Sequence, residues 1–298
     1  MKLSIIILNY NSGKLLQDCI VSIFEHYKNE LDNNQFEIIV VDNASSDDSF
    51  GEVSAKYQKI RYIQLPRNLG FGKANNQGVL KAGGDYILFL NPDTIVHAKT
   101  LTRLVAYLDS HERIGIATCK VLLPDGTLDD ACHRGFPTPW RALMHFFGIA
   151  GLFPNSRFFN GYHLGYQHLD EIHEIDACAG AFLLIKREVG IKVGWFDQDY
   201  FWYGEDLDLC FNVKAAGYKI VFIPDVSILH HKGAISGMKK HSAHLSKIDA
   251  QTRKKIHESR FEVMQIFYKK HYQNKYPWFI MQLVFMGIGI KKKLTEKY

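Results

Sequence analysis

The chain has 298 residues, 47% hydrophobic and 22% charged, with a formal net charge of +5. That is ordinary globular composition, enough for one large domain or two small ones, and it excludes a fibrous, low-complexity or disordered chain. The charge is uneven, since residues 239–298 carry 14 Lys and Arg against 4 Asp and Glu while residues 1–238 hold 22 against 27; a basic tail on a mildly acidic body points to an anionic surface.

Met1-Lys2 leads straight into "KLSIIILNYN", an apolar run ending in polar residues, which predicts a strand entering a loop and gives no expectation of a secretory signal region. "SGKLLQDCIVSIFEHY" repeats apolar residues at helical spacing, and "FEIIVVDNASSDDS" is a second buried strand running into an Asn/Ser/Asp turn. A helix around 50–57, the strand "IRYIQL", the helix "GKANNQGVLKA" and the strand "DYILFL" follow. Alternation of this kind predicts an α/β layer with a mostly parallel central sheet flanked by helices, in which ligands bind beyond the carboxyl ends of the strands. The polar residues fall there: Asn9, Tyr10 and Asn11 after the first strand, Asp42 and Asn43 after the second, Asn91 and Asp93 after the fourth.

Beyond residue 120, "LLPDGTLDD" carries the Asp-Gly of a hairpin. Residues 133–172 are rich in aromatics, Gly and Pro without clear periodicity, and are expected to be a substrate-shaping insertion or lid. "DACAGAFLLIKREV" returns to a strand and a helix start. "GWFDQDYFWYGEDLDLC" is dense in aromatics and acids and enters a helix at about Glu205, and "KIVFIPDVSILHHKG" is expected to be a strand pair ending in adjacent histidines. Five scattered cysteines with no CxxC pair suit a reducing cytosol and argue against a disulfide framework or a cysteine zinc site.

Three constellations carry chemistry. "NLGFGKANNQG" follows a strand and opens a helix, but Asn75 stands where a dinucleotide fingerprint needs its third glycine, so a dehydrogenase is not expected; no GxxxxGK[ST] is present either. Asp93 at a strand end suits a hard divalent ion that keeps other positions for phosphate oxygens and water, with His230 or His231 to complete the set. Equally, Asp93 could cap a helix over "TIVHAKTLTRLVAYL". Glu205, Asp206 and Asp208 sit beside four aromatics, as a partly buried general base requires; on a helix Glu205 and Asp208 share a face. Their alternative role is to complement a helix N-terminus.

Together these stretches resemble the family-2 glycosyltransferases, whose fold is the nucleotide-diphospho-sugar transferase fold called GT-A. The resemblance runs from Leu3 to about Gly233, through "SIIILNYN", "IIVVDNASSDDS", "RNLGFGKANNQG", "YILFLNPDT", "GAFLLIKR", "GWFDQDYFWYGEDLDLC" and "ILHHKG". "LNPDT" and "GEDLDLC" are most similar to the bacterial rhamnosyltransferase-like subgroup, which builds surface polysaccharides.

The resemblance implies that Asn9, Tyr10 and Asn11 line the nucleotide pocket, and that Asp42 accepts the N3 proton of uracil or thymine. Asn68, Gly70 and Asn75 belong beside the nucleotide. Asp93 is the last residue of the family's DxD motif and binds Mg2+ or Mn2+ with His230. Asp206 is the general base, and Glu205 and Asp208 orient it or the acceptor. Gly180 and Ala181 lie under a sugar, with Trp195 and Trp202 as stacking walls. One position departs from the pattern: the first acid of DxD is Asn91, which can hydrogen-bond a ribose hydroxyl but adds no charge. The implied activity is metal-dependent, inverting transfer of rhamnose or another hexose from a dTDP- or UDP-sugar to a saccharide acceptor, lipid-linked in the expected case.

The expected organisation is a nucleotide-sugar half (1–120), an acceptor and catalytic half of the same domain (121–238), and a helical basic tail (239–298). In that tail "WFIMQLVFMGIGI" precedes Lys291, Lys292 and Lys293. Thirteen helical residues span about 20 Å, short of the roughly 30 Å hydrocarbon core, so an interfacial segment on the inner face of the membrane, or a helix packed on the body, is expected of a cytoplasmic protein. Two other functions fit less well. A nucleotidyltransferase needs a basic triphosphate loop near the first strand, where only Lys14 stands, and a degenerate sugar-nucleotide-binding protein would not keep Asp93, Asp206 and His230.

Overall fold

The structure, a computed structural model, describes residues 1–233 and 250–295. The parts of the expected basic tail at 239–249 and 296–298 lie outside the described residues. The N-terminal half alternates β1 (Leu3–Asn9), α1 (Lys14–Asp32), β2 (Phe36–Asp42), α2 (Ser49–Lys56), β3 (Arg61–Gln64), α3 (Phe71–Val79) and β4 (Tyr86–Leu90). β1 and β4 are buried along their whole length, which is why they read as continuous apolar runs rather than alternating ones. β3, β2, β1 and β4 pair in parallel, so the ends that carry Asn9, Asp42 and Asn91 lie along one edge.

Then come β5 (Thr94–Val96), α4 (Thr100–Asp109), β6 (Ile114–Leu122), a 3-10 turn at Asp130–Cys132, α5 (Pro139–Phe146), α6 (Ile149–Leu152), β7 (His173–Ile175), β8 (Phe182–Lys186), α7 (Arg187–Val193), α8 (Glu205–Ala215) and β9 (Lys219–His230). The sheet order is β3-β2-β1-β4-β8-β6-β9-β5, with β7 on β9; β8 runs antiparallel to β4 and β6. α9 (Ala250–His271) and α10 (Trp278–Thr295) pack behind α8 and α5.

Three local expectations change. The helix expected from Thr94 begins only at Thr100: β-branched Thr94, Ile95 and Val96 pair antiparallel with Ile228–His230, and Lys99 takes a left-handed turn before α4. Asp93 therefore caps no helix. The expected strand pair at 219–230 is one strand, bulged where its register to β6 jumps from Ile223 to Ser227; Pro224, which has no N–H to give, lies in the bulge. Residues 133–172 contain two short helices, of which α5 starts with Thr138 accepting from the Arg141 amide and Pro139 in its first turn. The Asp-Gly turn closes as expected, with Gly126 at φ 81° and Leu122 bridging Leu128.

Candidate active site

A cavity of about 600 Å³ opens at the edge where the parallel strands end, a volume suited to a small-molecule substrate. Of the residues singled out in the sequence, Tyr10, Asn91, Asp93, Gly180, Ala181, Trp202, Glu205, Asp206 and His230 line it. Each arrives on a different element: Tyr10 just past β1, Asn91 and Asp93 between β4 and β5, Gly180 and Ala181 before β8, the acids at the start of α8, and His230 as the last residue of β9.

Asp93 and His230 are brought together by the antiparallel ladder that pairs Thr94 with His230. His230 Nε2 lies 3.3 Å from Asp93 Oδ1, and its Nδ1 lies 3.1 Å from Asp129 Oδ2. Burial alone would lower the His230 pKa; Asp93 and Asp129 outweigh it and raise it to about 9. Asp129 is buried too, yet His230 and Lys232 hold its carboxyl well below the usual range. Asp93 Oδ1 is buried at the cavity wall, with His230 Nε2 as its near polar neighbour. A buried carboxylate oxygen and an imidazole nitrogen at the cavity wall fit a divalent cation, which would take the place of the His230 proton between them. Among the described residues no three His, Cys, Asp or Glu side chains form a complete cage, so the other positions would fall to diphosphate oxygens and water. Of the two adjacent histidines, His230 faces the cavity; His231 gives its backbone amide to the Asp93 carbonyl.

On the opposite wall Asp206 Oδ2 accepts from Arg134 Nη2 at 2.8 Å and from the Gly180 amide at 3.1 Å. Its Oδ1 accepts the Leu207 amide. Burial works against the Arg134 charge, and the Asp206 carboxylate restores it. Glu205 differs: burial, reinforced by the adjacent Asp206 charge, holds its carboxyl well above the usual range, and its Oε2 has no partner. Of the two neighbouring carboxyls, Asp206 is paired with Arg134, while burial pushes Glu205 toward its neutral form.

Several expected nucleotide-side residues lie behind the cavity wall and build it. Asn9 Nδ2 donates to Asp42 Oδ1 (2.8 Å), Ser45 and Ser49. Asn11, at φ 50°, accepts the Ser46 and Asp47 amides and shapes the turn after β2. Asn43 donates to Asn68 Oδ1, which also accepts the Gly70 amide, while Asn68 Nδ2 stays buried and unpartnered. Gly70, at φ 84°, runs against the Phe201 carbonyl, where a Cβ would clash. Asn75 is buried in α3 and donates to its own helix at Phe71.

Two residues stand elsewhere. Asp208 is buried on the far side of α8, where Tyr200, Asn212, Lys270 and His271 all reach it. Helical spacing puts it beside Glu205, but α9 covers that side of α8 and leaves only the first turn at the cavity. Trp195, at φ 63°, stacks over Gly190 and against Phe89 and lines no part of the cavity. Four charged residues of the cavity wall are not among the candidates the sequence offers: Asp129, Arg134, Lys232 and Arg260. Arg134 had only the weak mark of a lone charge in "CHRGF", within a stretch that has no periodicity.

The model of glycosyl transferase family 2 matches residues 4–187. Rhamnosyltransferase WbbL of Escherichia coli K12 is 29% identical over 222 residues, covering 72% of this chain and 79% of its own. The N-acetylglucosaminyl-diphospho-decaprenol L-rhamnosyltransferase of Mycobacterium tuberculosis H37Rv is 27% identical over 212 residues, 67% of this chain and 68% of its own. Among solved structures, mannosyltransferase PcManGT from Pyrobaculum calidifontis, in complex with GDP-Man and Mn2+, superposes with a TM-score of 0.57 at 16% identity, covering 90% of this chain and 63% of that one. With the cavity at the strand ends and the matched segment spanning most of the sheet, this GT-A chain belongs to glycosyl transferase family 2, alongside its rhamnosyltransferase-like members.

Proposed function

We propose that the chain is an inverting hexosyltransferase that moves rhamnose or another hexose from a dTDP- or UDP-sugar to a saccharide acceptor carried on a lipid diphosphate, in surface polysaccharide synthesis. The observation that carries this reading is the placement, across one cavity, of the Asp93–His230 pair opposite the Asp206 carboxylate on Arg134. One side is built for a cation and a diphosphate, the other for a proton. The lipid-linked acceptor rests on the likeness to the mycobacterial N-acetylglucosaminyl-diphospho-decaprenol L-rhamnosyltransferase.

Asp93 and His230 would hold a divalent ion, Mg2+ or Mn2+, which when bound stabilises the negative charge developing on the departing diphosphate. Asp206 takes the proton of the acceptor hydroxyl as that oxygen attacks the anomeric carbon from the face opposite the leaving group, so one displacement inverts the configuration. Arg134 and the Gly180 amide keep that carboxylate aimed at the cavity. Glu205, whose burial favours the neutral form, is placed to donate a hydrogen bond to donor or acceptor. Trp202, edge-on to Tyr10 at 6.5 Å between centroids, supplies a flat apolar wall. Asp42 ends β2 fully buried behind the cavity wall, accepting from Asn9 and the Ser45 amide, so it offers no exposed oxygen to a base.

The test is turnover of a panel of dTDP-, UDP- and GDP-sugars with Mn2+ or Mg2+, for the wild type, Asp93→Ala and Asp206→Asn. Slow metal-dependent hydrolysis of one donor, lost in Asp93→Ala, together with acceptor transfer lost in Asp206→Asn, is expected. Donor binding indifferent to metal and to Asp93 would remove the cation from this scheme. Pyrophosphorolysis of the donor instead of transfer would favour the nucleotidyltransferase.

A further inference from the structure

We propose that α5, α6 and the outer side of α10 form one surface that docks on an anionic lipid bilayer, beside the mouth of the cavity. α10 is apolar on both sides. Its inner side packs Met281, Val284 and Phe285 against the core. Its outer side exposes Phe279, Leu283, Met286, Ile290 and Leu294, spaced four, three, four and four residues apart, which is a single helical stripe. A surface helix of a water-facing protein is polar on that side. No helix among the described residues is long and apolar enough to cross a membrane, so a stripe of this kind lies along an interface rather than through it.

A second segment, about 130 residues earlier in the chain, completes the surface. α5 exposes Trp140, Leu143, Phe146 and Phe147 at helical spacing, and α6 exposes Leu152 at 75%. The two parts meet where Lys291 Nζ lies 5.7 Å from the centre of the Phe146 ring. Contiguous exposed apolar area built from two distant segments marks a binding surface.

Charge selects the occupant. α10 carries Lys291, Lys292 and Lys293 at its end and no Asp or Glu anywhere; residues 139–153 contain no Asp or Glu either. An apolar strip flanked by lysines, with Trp140 and Trp278 among its exposed residues, matches anionic headgroups over acyl chains. A second copy of the chain fits poorly, because a self-paired face would bring two lysine clusters together with no acid on it to neutralise them. The surface also adjoins the cavity: the His145 ring of α5 lies 5.2 Å from that of Tyr162, a cavity wall residue. The inference goes beyond the transfer chemistry and stands without it.

Vesicle flotation of the full chain tests it, using phosphatidylcholine with and without phosphatidylglycerol. Binding to the anionic vesicles only, weakened by salt, is expected. The triple variant K291E/K292E/K293E should bind about a hundredfold more weakly, since each lysine at the headgroups is worth roughly fivefold. Phe147→Ser with Met286→Ser should also abolish flotation, while donor hydrolysis in solution and the melting temperature stay at wild-type values. Should the double variant melt early, Phe147→Ser alone, at a position 65% exposed, reads the same loss. Flotation that ignores composition, flotation unchanged in both variants, no flotation of the wild type, or a self-association that these variants abolish in the absence of vesicle binding would each overturn it. Loss of donor hydrolysis in the wild type would count against the transfer reading and leave this one standing.

Discussion

Asp208→Ala separates a structural acid from the catalytic ones beside it. The Asp208 carboxylate is fully buried and receives Tyr200 Oη at 3.2 Å, Asn212 Nδ2 at 3.0 Å, Lys270 Nζ at 2.8 Å and His271 Nε2 at 2.6 Å. Truncating one partner of a buried, charged network costs about 3–5 kcal/mol, because the groups left behind stay desolvated. Lys270 is 35% exposed and regains water, so the low end applies, about 3 kcal/mol. In a chain of this size that is a fall in melting temperature of about 6 °C. The loss should be seen in thermal unfolding at neutral pH, with donor hydrolysis measured well below the transition and retained within about threefold, half a kcal/mol-scale effect. His271 and Lys270 lower the Asp208 pKa against the burial that would raise it. A depressed folded pKa stabilises above the unfolded value and loses that contribution as pH falls, so the gap between wild type and variant should close below the ordinary 3.8. An unmoved melting temperature with hydrolysis abolished would refute this placement and put Asp208 back in the active site.

Arg134→Ala and Asp206→Ala should each destabilise by about 3 kcal/mol in urea unfolding, and the double variant by clearly less than the sum, because each single change strands a mostly buried charge; additive costs would contradict the pairing. Glu205→Gln keeps a neutral donor in place and should retain turnover. Because the folded Glu205 pKa is raised, wild-type stability falls as pH rises above 4.5, so the melting temperature of the Gln variant should gain on that of the wild type as pH rises past that value, and a constant difference would refute the raised pKa. Gly70→Ala combines a left-handed backbone with a clash on the Phe201 carbonyl and should cost about 3 kcal/mol, read as early melting and a raised KM for donor; a neutral outcome would mean the 201 loop moves freely.

Much of the frame is legible in the sequence because buried parallel strands read as unbroken apolar runs, and because the residues past their ends are polar for a reason other than turn formation. Asn91 and Asp93 are legible at the cavity on that ground, and Glu205 and Asp206 from a cluster of acids opening a helix, whereas Asn9 and Asp42 bond each other and the turn after β2. What local pattern could not supply is what arrives from far along the chain. Asp208 looks like a partner of Glu205 until α9, about 60 residues later, covers it. Arg134 reaches Asp206 across 72 positions from a stretch without periodicity. Trp195 seemed a stacking wall, but its left-handed backbone turns it onto Gly190. Thr94–Val96 has the residues of either state, and the neighbouring strand decides.

The bulge at 224–226 works as a gauge for the active site. β9 is held to β6 on one side and to β5 on the other, so the number of residues looped out between Ile223 and Ser227 fixes which side chain stands opposite Thr94. In an ordinary strand a slip of one residue turns every side chain to the wrong face. Here the residue that follows His230 is also a histidine, so looping out one more residue would bring His231 opposite Thr94 and still deliver an imidazole to Asp93. The spelling His-His makes this corner of the site tolerant of a shift in one direction and intolerant of the other, in which Leu229 would move to the cavity side of the ladder's last position.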